Sequence, residues 1–322
     1  MKRPDVRMAW REKLVICIMI ASFCGLILFY IIAFGMLLCP GQDKVWDEAE
    51  LSGHDTDGSF WVALHGSVYD ITKFWRGDHS NIQSAPVTQT DMKQLAGLEL
   101  THYFPVPLNE GCGAFVTDGS LTLTVANFTA TVPLAIHNSG AQTRYSNTDL
   151  QSASWYNSTF LGTMRQYYKG PLVYSRREVA SQANSDGRCE VCSKVDPLLT
   201  SRRRYWAIWN NEIFDLSDYF NTLKITNSAN QYEFLDTSLT NLFKQQPGQD
   251  ISDGMNKLMA TYSGTQKSAT YTCLKNEFYY GNVDFRDSPR CKVQNYLLIS
   301  ASGVLCVTIL AKCRSRSSPS LR

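Results

Sequence analysis

Two long apolar stretches lie near the ends of the chain and predict membrane-spanning helices. Residues 14–38 carry no charged side chain, and as a helix they can cross a hydrocarbon core of about 30 Å. Residues 296–311 form a shorter apolar run between Lys292 and Lys312, so a second span over 294–312 has to include polar flanking residues. A signal peptide is the alternative for the first run, but this run is longer than a usual signal-peptide core and has no small-residue cleavage site.

One alternation of apolar and polar residues occurs twice between these stretches. Residues 61–74 read WVALHGSVYDITKF, and residues 206–219 read WAIWNNEIFDLSDY. Each copy predicts two short, half-buried strands around a tight turn, followed by the start of a helix. Asp70 and Asp215 precede these helix starts, where a carboxylate can accept hydrogen bonds from free backbone amides. The repetition predicts a duplicated fold unit.

The remaining patterns predict further elements around the two copies. Residues 121–125 and 129–136 have the composition of strands, whereas residues 139–154 are rich in Ser, Asn, Gln and Thr and predict an exposed loop. Residues 249–262 have helical periodicity. The apolar face of that helix is expected to be core and consists of Ile251, Met255, Leu258 and Met259.

The first copy resembles the opening of the cytochrome b5-like haem/steroid-binding domain. In that family a Trp-led strand, a tight turn and a Val-Tyr-Asp strand lead into a Lys-Phe helix start, as in residues 61–74. The resemblance implies an α+β fold with two degenerate b5-like units, at residues 39–110 and 201–291. Residues 111–200 are then expected to be a strand-and-loop insertion that carries glycosylation sites.

The same resemblance implies where haem ligands would have to be. Haem-binding members have His-Pro-Gly-Gly four residues after the Phe, but Asp78 occupies that position here and His79 follows it. Counting to the family's second histidine leads to Asn109, and His102 lies seven residues earlier. The second copy has no histidine. We therefore expect no haem and no metal, keep His79 and His102 as the candidate ligands, and leave open a sterol or lipid in the apolar pocket.

Charge and sequons indicate the orientation of the chain. Basic residues are concentrated in segment 1–13 and in the tail 313–322, which places both termini in the cytosol. Sequons begin at Asn127 and Asn157, and N-glycosylation occurs on the lumenal side. We expect a glycoprotein that reaches the plasma membrane through the secretory pathway with its central segment lumenal or extracellular. The formal net charge of +2 gives no indication of nucleic-acid binding.

Six of the ten cysteines lie between the two predicted spans, an even number that predicts up to three disulfides in an oxidising compartment. Cys39 and Cys291 both lie just outside a span and are one candidate pair, but the sequence leaves the connectivity open. Cys189 and Cys192 have the spacing of half a zinc site, yet no second pair accompanies them. The candidate disulfide residues are Cys39, Cys112, Cys189, Cys192, Cys273 and Cys291.

Several blocks coincide along the chain: residues 3–14 (RPDVRMAWREKL), residues 38–40 (LCP), the paired b5-like units, and residues 291–296 (CKVQNY). Together they resemble the N-terminal accessory region of fungal chitin synthases of the b5-domain and myosin-linked classes. In that family a cytosolic glycosyltransferase domain follows, which polymerises N-acetylglucosamine from UDP-N-acetylglucosamine into cell-wall chitin. The basic tail after the second span departs from the family, so we expect a truncated product that is inactive alone.

Two short motifs resemble catalytic signatures, but we assign catalysis to neither. Residues 55–57 have Asp-x-Asp spacing but lie in a polar loop, and residues 201–206 resemble the family's Gln-x-x-Arg-Trp motif without its Gln. We therefore predict a membrane-anchored, non-catalytic binding or regulatory portion of a chitin synthase. Its expected partners are membrane lipid, full-length synthase subunits or cell-wall polysaccharide. The alternative is a b5-like membrane protein that binds haem, a sterol or another lipid.

Overall fold

The fold is seen in a computed structural model, which describes residues 4–30, 37, 39–41, 44–77, 87–126, 128–184 and 204–316. The chain divides into two compact units. One consists of Met1–Asp43 and Phe285–Arg322, and the other of Lys44–Asp284. The first unit contains helices α1 (Pro4–Phe29) and α11 (Pro289–Arg316), and a disulfide joins Cys39 to Cys291 within it.

Helix α1 contains residues 14–29 of the first predicted span, 14–38. Within the described residues one helix is long and apolar enough to cross a membrane, Met8–Phe29, with a mean hydropathy of 2.2. Most of the remaining predicted span, 31–36 and 38, lies outside the described residues. The second predicted span, 294–312, is helical throughout as part of α11, but the same criterion does not select it.

The second unit is a mixed α+β structure built on two four-stranded sheets, so the predicted α+β class is confirmed. The strand order is β1-β2-β3-β4 in one sheet and β5-β8-β7-β6 in the other. The strands are β1 Asp55–Thr56, β2 Ser59–Leu64, β3 Ser67–Asp70, β4 Tyr168–Pro171, β5 Val173–Tyr174, β6 Trp206–Trp209, β7 Glu212–Asp215 and β8 Tyr279–Val283. The helices are α2 Glu48–Ser52, α3 Gln89–Lys93, α4 Leu108–Gly111, α5 Leu161–Met164, α6 Arg176–Asn184, α7 Ser217–Ile225, α8 Thr237–Gln245, α9 Ser252–Thr261 and α10 Gly264–Cys273.

The two hairpins that the sequence predicted have the same register. Trp61 pairs with Asp70 across β2 and β3, and Trp206 pairs with Asp215 across β6 and β7. Both two-residue turns have positive φ at both positions, 42° and 68° in the first and 51° and 66° in the second. This is the turn geometry that matches the twist of a hairpin, and it is tolerated by Gly and Asn.

The duplication extends well beyond the hairpins. Each hairpin adds a third strand, β4 or β8, with a register shift after Val68 or Ile213 and with a glycine, Gly170 or Gly281, opposite the shift. Each repeat also begins with a reciprocally capped helix. In α2 the cap pairs Asp47 with Glu50, and before α6 it pairs Ser175 with Glu178. We name residues 45–172 the first repeat and residues 173–284 the second repeat.

These limits differ from the predicted boundaries at residues 110 and 200. The closing strand β4 of the first repeat and the opening strand β5 of the second both lie inside the stretch predicted as an insertion. The sequence pattern revealed only the hairpins. Strand β4 ends in Gly170 and Pro171, residue types that are depleted in strands, and β5 has only two residues, too few to show alternation.

The strands predicted at 121–125 and 129–136 are wrong. Residues 121–125 are extended without a ladder partner, because their backbone bonds go to side chains of the second repeat. The amide of Thr124 donates to the Thr222 hydroxyl at 2.7 Å. The second segment contains a short 3-10 turn at Pro133–Ala135 in place of a strand. A short apolar run predicts extended backbone, but it does not say which partner satisfies the backbone.

Among the described residues, three large clusters of buried side chains and a small one around Leu108 form the core of this unit. One lies within each repeat, and the predicted helix at 249–262 contributes to the second through Met255 and Met259 of α9. The third cluster lies between the repeats and joins equivalent positions, such as Trp61 with Trp206 and Val68 with Ile213. Because the hairpins of both repeats share this cluster, the two repeats form one packed body.

Candidate functional site

A cavity of about 330 Å³ lies between the two repeats. One wall comes from the β2–β3 turn and the segment from Thr101 to Gln142, and the other from the start of α7 and the start of β8. Its volume is at the lower end of the range for small-molecule sites, about 300–1,000 Å³. The titratable and hydroxyl side chains of the lining that matter here are His65, His102, Ser139, Asp215, Asp218 and Glu277.

His65 is placed by the first hairpin turn and held in one tautomer. Its backbone N–H donates to the Thr101 hydroxyl at 2.9 Å, and ring atom Nε2 lies 3.1 Å from the carbonyl oxygen of Phe104. A carbonyl can only accept, so Nε2 carries the proton and Nδ1 does not. Nδ1 is buried and has no partner among the described residues. Burial lowers the pKa of His65 to about 4, so the ring is neutral with a free acceptor.

His102 and Asp218 form a second polar group in the cavity. The Nδ1 atom of His102 lies 3.6 Å from Oδ2 of Asp218, and the other oxygen of Asp218 accepts the amide of Ala126 at 2.7 Å. Burial lowers the pKa of His102, although Glu99 opposes the shift. Burial and the nearby Asp215 raise the pKa of Asp218 to about 7. Both shifts favour the uncharged forms, so the pair does not behave as a surface ion pair would.

Asp215 is fixed by hydrogen bonds inside its own repeat. It accepts the indole N–H of Trp206 at 2.6 Å and the amide of Ser217 at 2.8 Å. Asp70, at the same position in the first repeat, accepts the amide of Thr72 at 3.1 Å. The two aspartates therefore accept the backbone amides as the sequence predicted. Asp215 adds a negative charge beside Asp218, which strengthens the preference of Asp218 for a proton.

Glu277 and Ser139 complete the polar lining from two other segments. Glu277 lies on the π-helical turn Leu274–Phe278, and burial raises its pKa to about 8, so its carboxyl group is mainly protonated at neutral pH. Ser139 is only 3% exposed. In the part of the chain that the structure describes, neither Oε1 of Glu277 nor Oγ of Ser139 has a hydrogen-bond partner.

Sequence analysis singled out one of these cavity residues as a candidate ligand and missed the others. His102 is a lining residue, and His79 lies outside the described residues. No pattern pointed to His65, Ser139 or Glu277, because they come together only when the two repeats pack. The one available signal was a difference between the two copies: His65 occupies the turn position at which the second copy has Asn210.

The other predicted site residues are not among the described residues that line the cavity. Asn157 is exposed, and its side-chain amide donates to Glu110 at 3.0 Å. Asn127, Cys189 and Cys192 lie outside the described residues. The remaining candidate cysteines pair as Cys39–Cys291 and Cys112–Cys273.

The described residues are a poor match for a haem or a metal ion. Haem needs ligand nitrogens that face each other across an apolar crevice. His102 instead faces the carboxyl group of Asp218, and the helical layers are filled with buried aromatic side chains such as Trp75 and Phe243. Within the described ranges no group of three His, Cys, Asp or Glu residues could hold a metal ion. Asp57 of the Asp-x-Asp motif pairs with Lys93 at 2.9 Å.

The first repeat is similar to a cytochrome b5-like domain. Residues 47–172 match the family model of the "Cytochrome b5-like Heme/Steroid binding domain", a range that nearly coincides with the first repeat. No solved structure matches the chain.

Over almost its whole length the chain is related to chitin synthases, as its sequence predicted. It is 44% identical to chitin synthase 6 of Mycosarcoma maydis and 42% identical to chitin synthase 4 of Cryptococcus neoformans var. grubii, in both cases over 97% of this chain. It is 45% identical to chitin synthase A of Aspergillus oryzae, again over 97% of the chain. The chain spans only 25%, 24% and 16% of these relatives, so it corresponds to a part of them.

Proposed function

We propose that this chain serves as a membrane-anchored, non-catalytic accessory portion of a chitin synthase. The observation that carries the proposal is the relation between 97% of this chain and 16–25% of the chitin synthases. The match of residues 47–172 to the "Cytochrome b5-like Heme/Steroid binding domain" supports it, because that name describes a binding domain. In the whole enzyme, a separate part would polymerise N-acetylglucosamine from UDP-N-acetylglucosamine into chitin.

The proposed topology has two spans, α1 and the 294–312 segment of α11, with both termini in the cytosol. The repeats then face the lumen and, at the plasma membrane, the cell exterior. Two features support this arrangement. The Cys39–Cys291 and Cys112–Cys273 disulfides are of a kind that persists in oxidising compartments. The basic residues near both ends of the chain follow the positive-inside rule.

We further propose that the repeats work without haem and contact synthase subunits or cell-wall polysaccharide. On this view the b5-like fold provides a rigid scaffold, and its surface and cavity provide the binding groups. A visible absorption spectrum of the full chain, produced with haem supplied, checks the haem-free state. The expected spectrum has no Soret band, and a stoichiometric Soret band that disappears in His102→Ala would support the b5-like haem-protein alternative.

The accessory role is tested by exchange into a related enzyme. The matching segment of the Mycosarcoma maydis synthase is deleted, or is replaced by this chain, and membranes are assayed for incorporation of UDP-N-acetylglucosamine into polymer. We expect the chain alone to incorporate nothing, the deletion to lower incorporation, and the replacement to restore it. Incorporation by the chain alone, or a replacement no better than the deletion at equal expression, would overturn the proposal.

A further inference from the structure

Three buried polar atoms without partners among the described residues belong to side chains that line the same cavity, although these side chains come from three distant segments. They are Nδ1 of His65, Oγ of Ser139 and Oε1 of Glu277. A buried polar atom left unpaired destabilises the folded state, so proteins rarely keep several such atoms together. A molecule in the cavity that pairs with them would remove this destabilisation.

The protonation states of these groups indicate what such a molecule offers. His65 is a neutral acceptor because burial lowers its pKa to about 4. Glu277 holds a proton at neutral pH because burial raises its pKa to about 8, and the Ser139 hydroxyl both donates and accepts. An ionic ligand would find no full charge of opposite sign on these three groups. They suit an uncharged partner with both donors and acceptors.

Beside these three groups and the other polar side chains, the lining has apolar and aromatic surface. Phe128, Phe278 and Tyr279 bring aromatic rings to the cavity, and Val106 and Ile136 add aliphatic surface. A sugar ring has the complementary character, with C–H groups on its faces and hydroxyl groups around its edge. A cavity of about 330 Å³ is small enough to suit one such ring.

We propose that the cavity between the repeats binds a small, uncharged, hydroxyl-bearing molecule of the size of one sugar ring, held by His65, Ser139 and Glu277. The inference rests on the cavity and not on the accessory role proposed above. Nδ1 of His65 accepts a hydrogen bond from a ligand hydroxyl, and the protonated carboxyl group of Glu277 donates one to a ligand oxygen. The Ser139 hydroxyl, also from the first repeat, can donate or accept a hydrogen bond. Binding joins groups of both repeats and therefore holds the repeats together.

The experiment uses the full chain in detergent micelles and measures binding by saturation-transfer NMR and calorimetry at pH 7. The neutral probes are N-acetylglucosamine, glucose and myo-inositol, and the charged counterparts are glucosamine and glucuronate. We expect at least one neutral probe to bind with a dissociation constant of about 1 mM or less, and its charged counterparts to bind at least about tenfold more weakly.

Matched variants locate the binding site. His65→Asn inserts the residue that the second repeat has at the same turn position, Asn210, so the positive φ is kept while the imidazole is lost. Ser139→Ala removes only the unpartnered hydroxyl. We expect each variant to bind about three- to tenfold more weakly, the usual effect of losing one hydrogen bond, and the exposed control Ser152→Ala to bind normally.

Three results would overturn the proposal. The first is no binding of any neutral probe up to about 100 mM, which would indicate a cavity filled by ordered water only. The second is equal binding of neutral and charged probes, and the third is binding that neither variant changes, which would place the probe elsewhere. These results leave the accessory role untouched, because the exchange assay tests that role without any soluble ligand.

Discussion

Gly97 and Gly248 hold the same backbone position in the two repeats. Both have positive φ, 71° and 74°, and each donates its N–H to the carbonyl oxygen of the strand tryptophan, Trp61 at 2.8 Å and Trp206 at 2.6 Å. In both repeats the next residues bridge to the same hairpin strand, at Ala63 and at Ile208. The two repeats share few side chains in this segment, yet the same backbone hydrogen bonds join the segment to the edge of the hairpin.

We predict that Gly248→Ala destabilises the protein more than Gly97→Ala. Both changes put a side chain at positive φ, which costs about 1–2 kcal/mol. At Gly248 the added Cβ would also lie 2.8 Å from the Cβ of Ala183 and 2.9 Å from the Cα of Ala180, whereas at Gly97 its nearest atom, in Ser52, is 3.2 Å away. Urea unfolding of the full chain in detergent measures the difference in free energy of unfolding.

The control for both variants is Gly264→Ala, at the start of α10, where an added Cβ meets nothing within 4 Å. We expect this change to alter the free energy of unfolding by no more than about 0.5 kcal/mol. Equal losses at all three glycines would contradict the assignment of a special backbone geometry to Gly97 and Gly248.

We predict that Glu277→Gln gains stability over the unmodified chain as pH rises. Because the pKa of Glu277 is raised to about 8, the folded chain keeps a proton that the unfolded chain releases near pH 4.5. Unfolding is therefore favoured increasingly between pH 4.5 and pH 8, and the uncharged glutamine avoids this loss. The expected relative gain at pH 8 is about 1–3 kcal/mol.

Urea unfolding at pH 5 and at pH 8 measures the effect of this substitution. Glutamine also occurs in the first repeat at the matching position, Gln166, which counts back from Tyr168 as Glu277 does from Tyr279. A constant difference between the two proteins across this pH range would show that Glu277 is ionised in the folded state.

Much of the fold could be predicted from sequence because the hairpins are local. Their register follows from alternation along β2, β3, β6 and β7, and their turns use residues that tolerate positive φ. Residues 121–125 show the limit of such reasoning. The strand predicted there is wrong, because the amide of Thr124 donates to the Thr222 side chain, which lies 98 residues away and leaves no mark in the local pattern.

The candidate site was less predictable than the fold for the same reason. His102 was singled out because a family pattern drew attention to histidines, not because its surroundings could be seen. Ser139 lies in a stretch predicted to be an exposed loop, yet it is only 3% exposed and lines the cavity between the two repeats. The pKa of Glu277 likewise depends on burial that only the packed repeats create.

We predict that His65 stays neutral well below the pH at which histidines ordinarily titrate. Its pKa is lowered to about 4, so the unfolded chain binds a proton between pH 6.5 and pH 4 while the folded chain does not. Stability from this group is therefore complete above pH 6.5 and falls as pH falls towards 4. Nitrogen-15 NMR of labelled histidine should show one Nε2-protonated ring that does not titrate between pH 7 and pH 5. Titration of the His65 ring near pH 6.5 would contradict its buried geometry.

We predict that the disulfide between Cys112 and Cys273 stabilises the pair of repeats. Cys112 follows α4 of the first repeat and Cys273 ends α10 of the second, so the bond closes a loop of 161 residues. The double variant Cys112→Ala/Cys273→Ala should lose about 2–5 kcal/mol in free energy of unfolding. Reductant should lower the free energy of unfolding more in the unmodified chain than in this variant. The matched control is Cys306→Ala, which removes an exposed free thiol and should change nothing.

We predict that Asn157 carries a glycan when the chain is made in a eukaryotic secretory pathway. Its side chain is exposed, and only one hydrogen bond, to Glu110 at 3.0 Å, has to open for the amide to reach a modifying enzyme. Glycan transfer occurs on the lumenal side, so modification places the repeats there. Intact-mass analysis before and after glycosidase treatment, with Asn157→Gln as the comparison, measures occupancy. Glu110→Gln is the control, because it changes the hydrogen-bond partner and leaves the sequon intact. An unmodified Asn157 in cells that glycosylate a co-expressed secreted reporter would place the repeats in the cytosol and contradict the proposed topology.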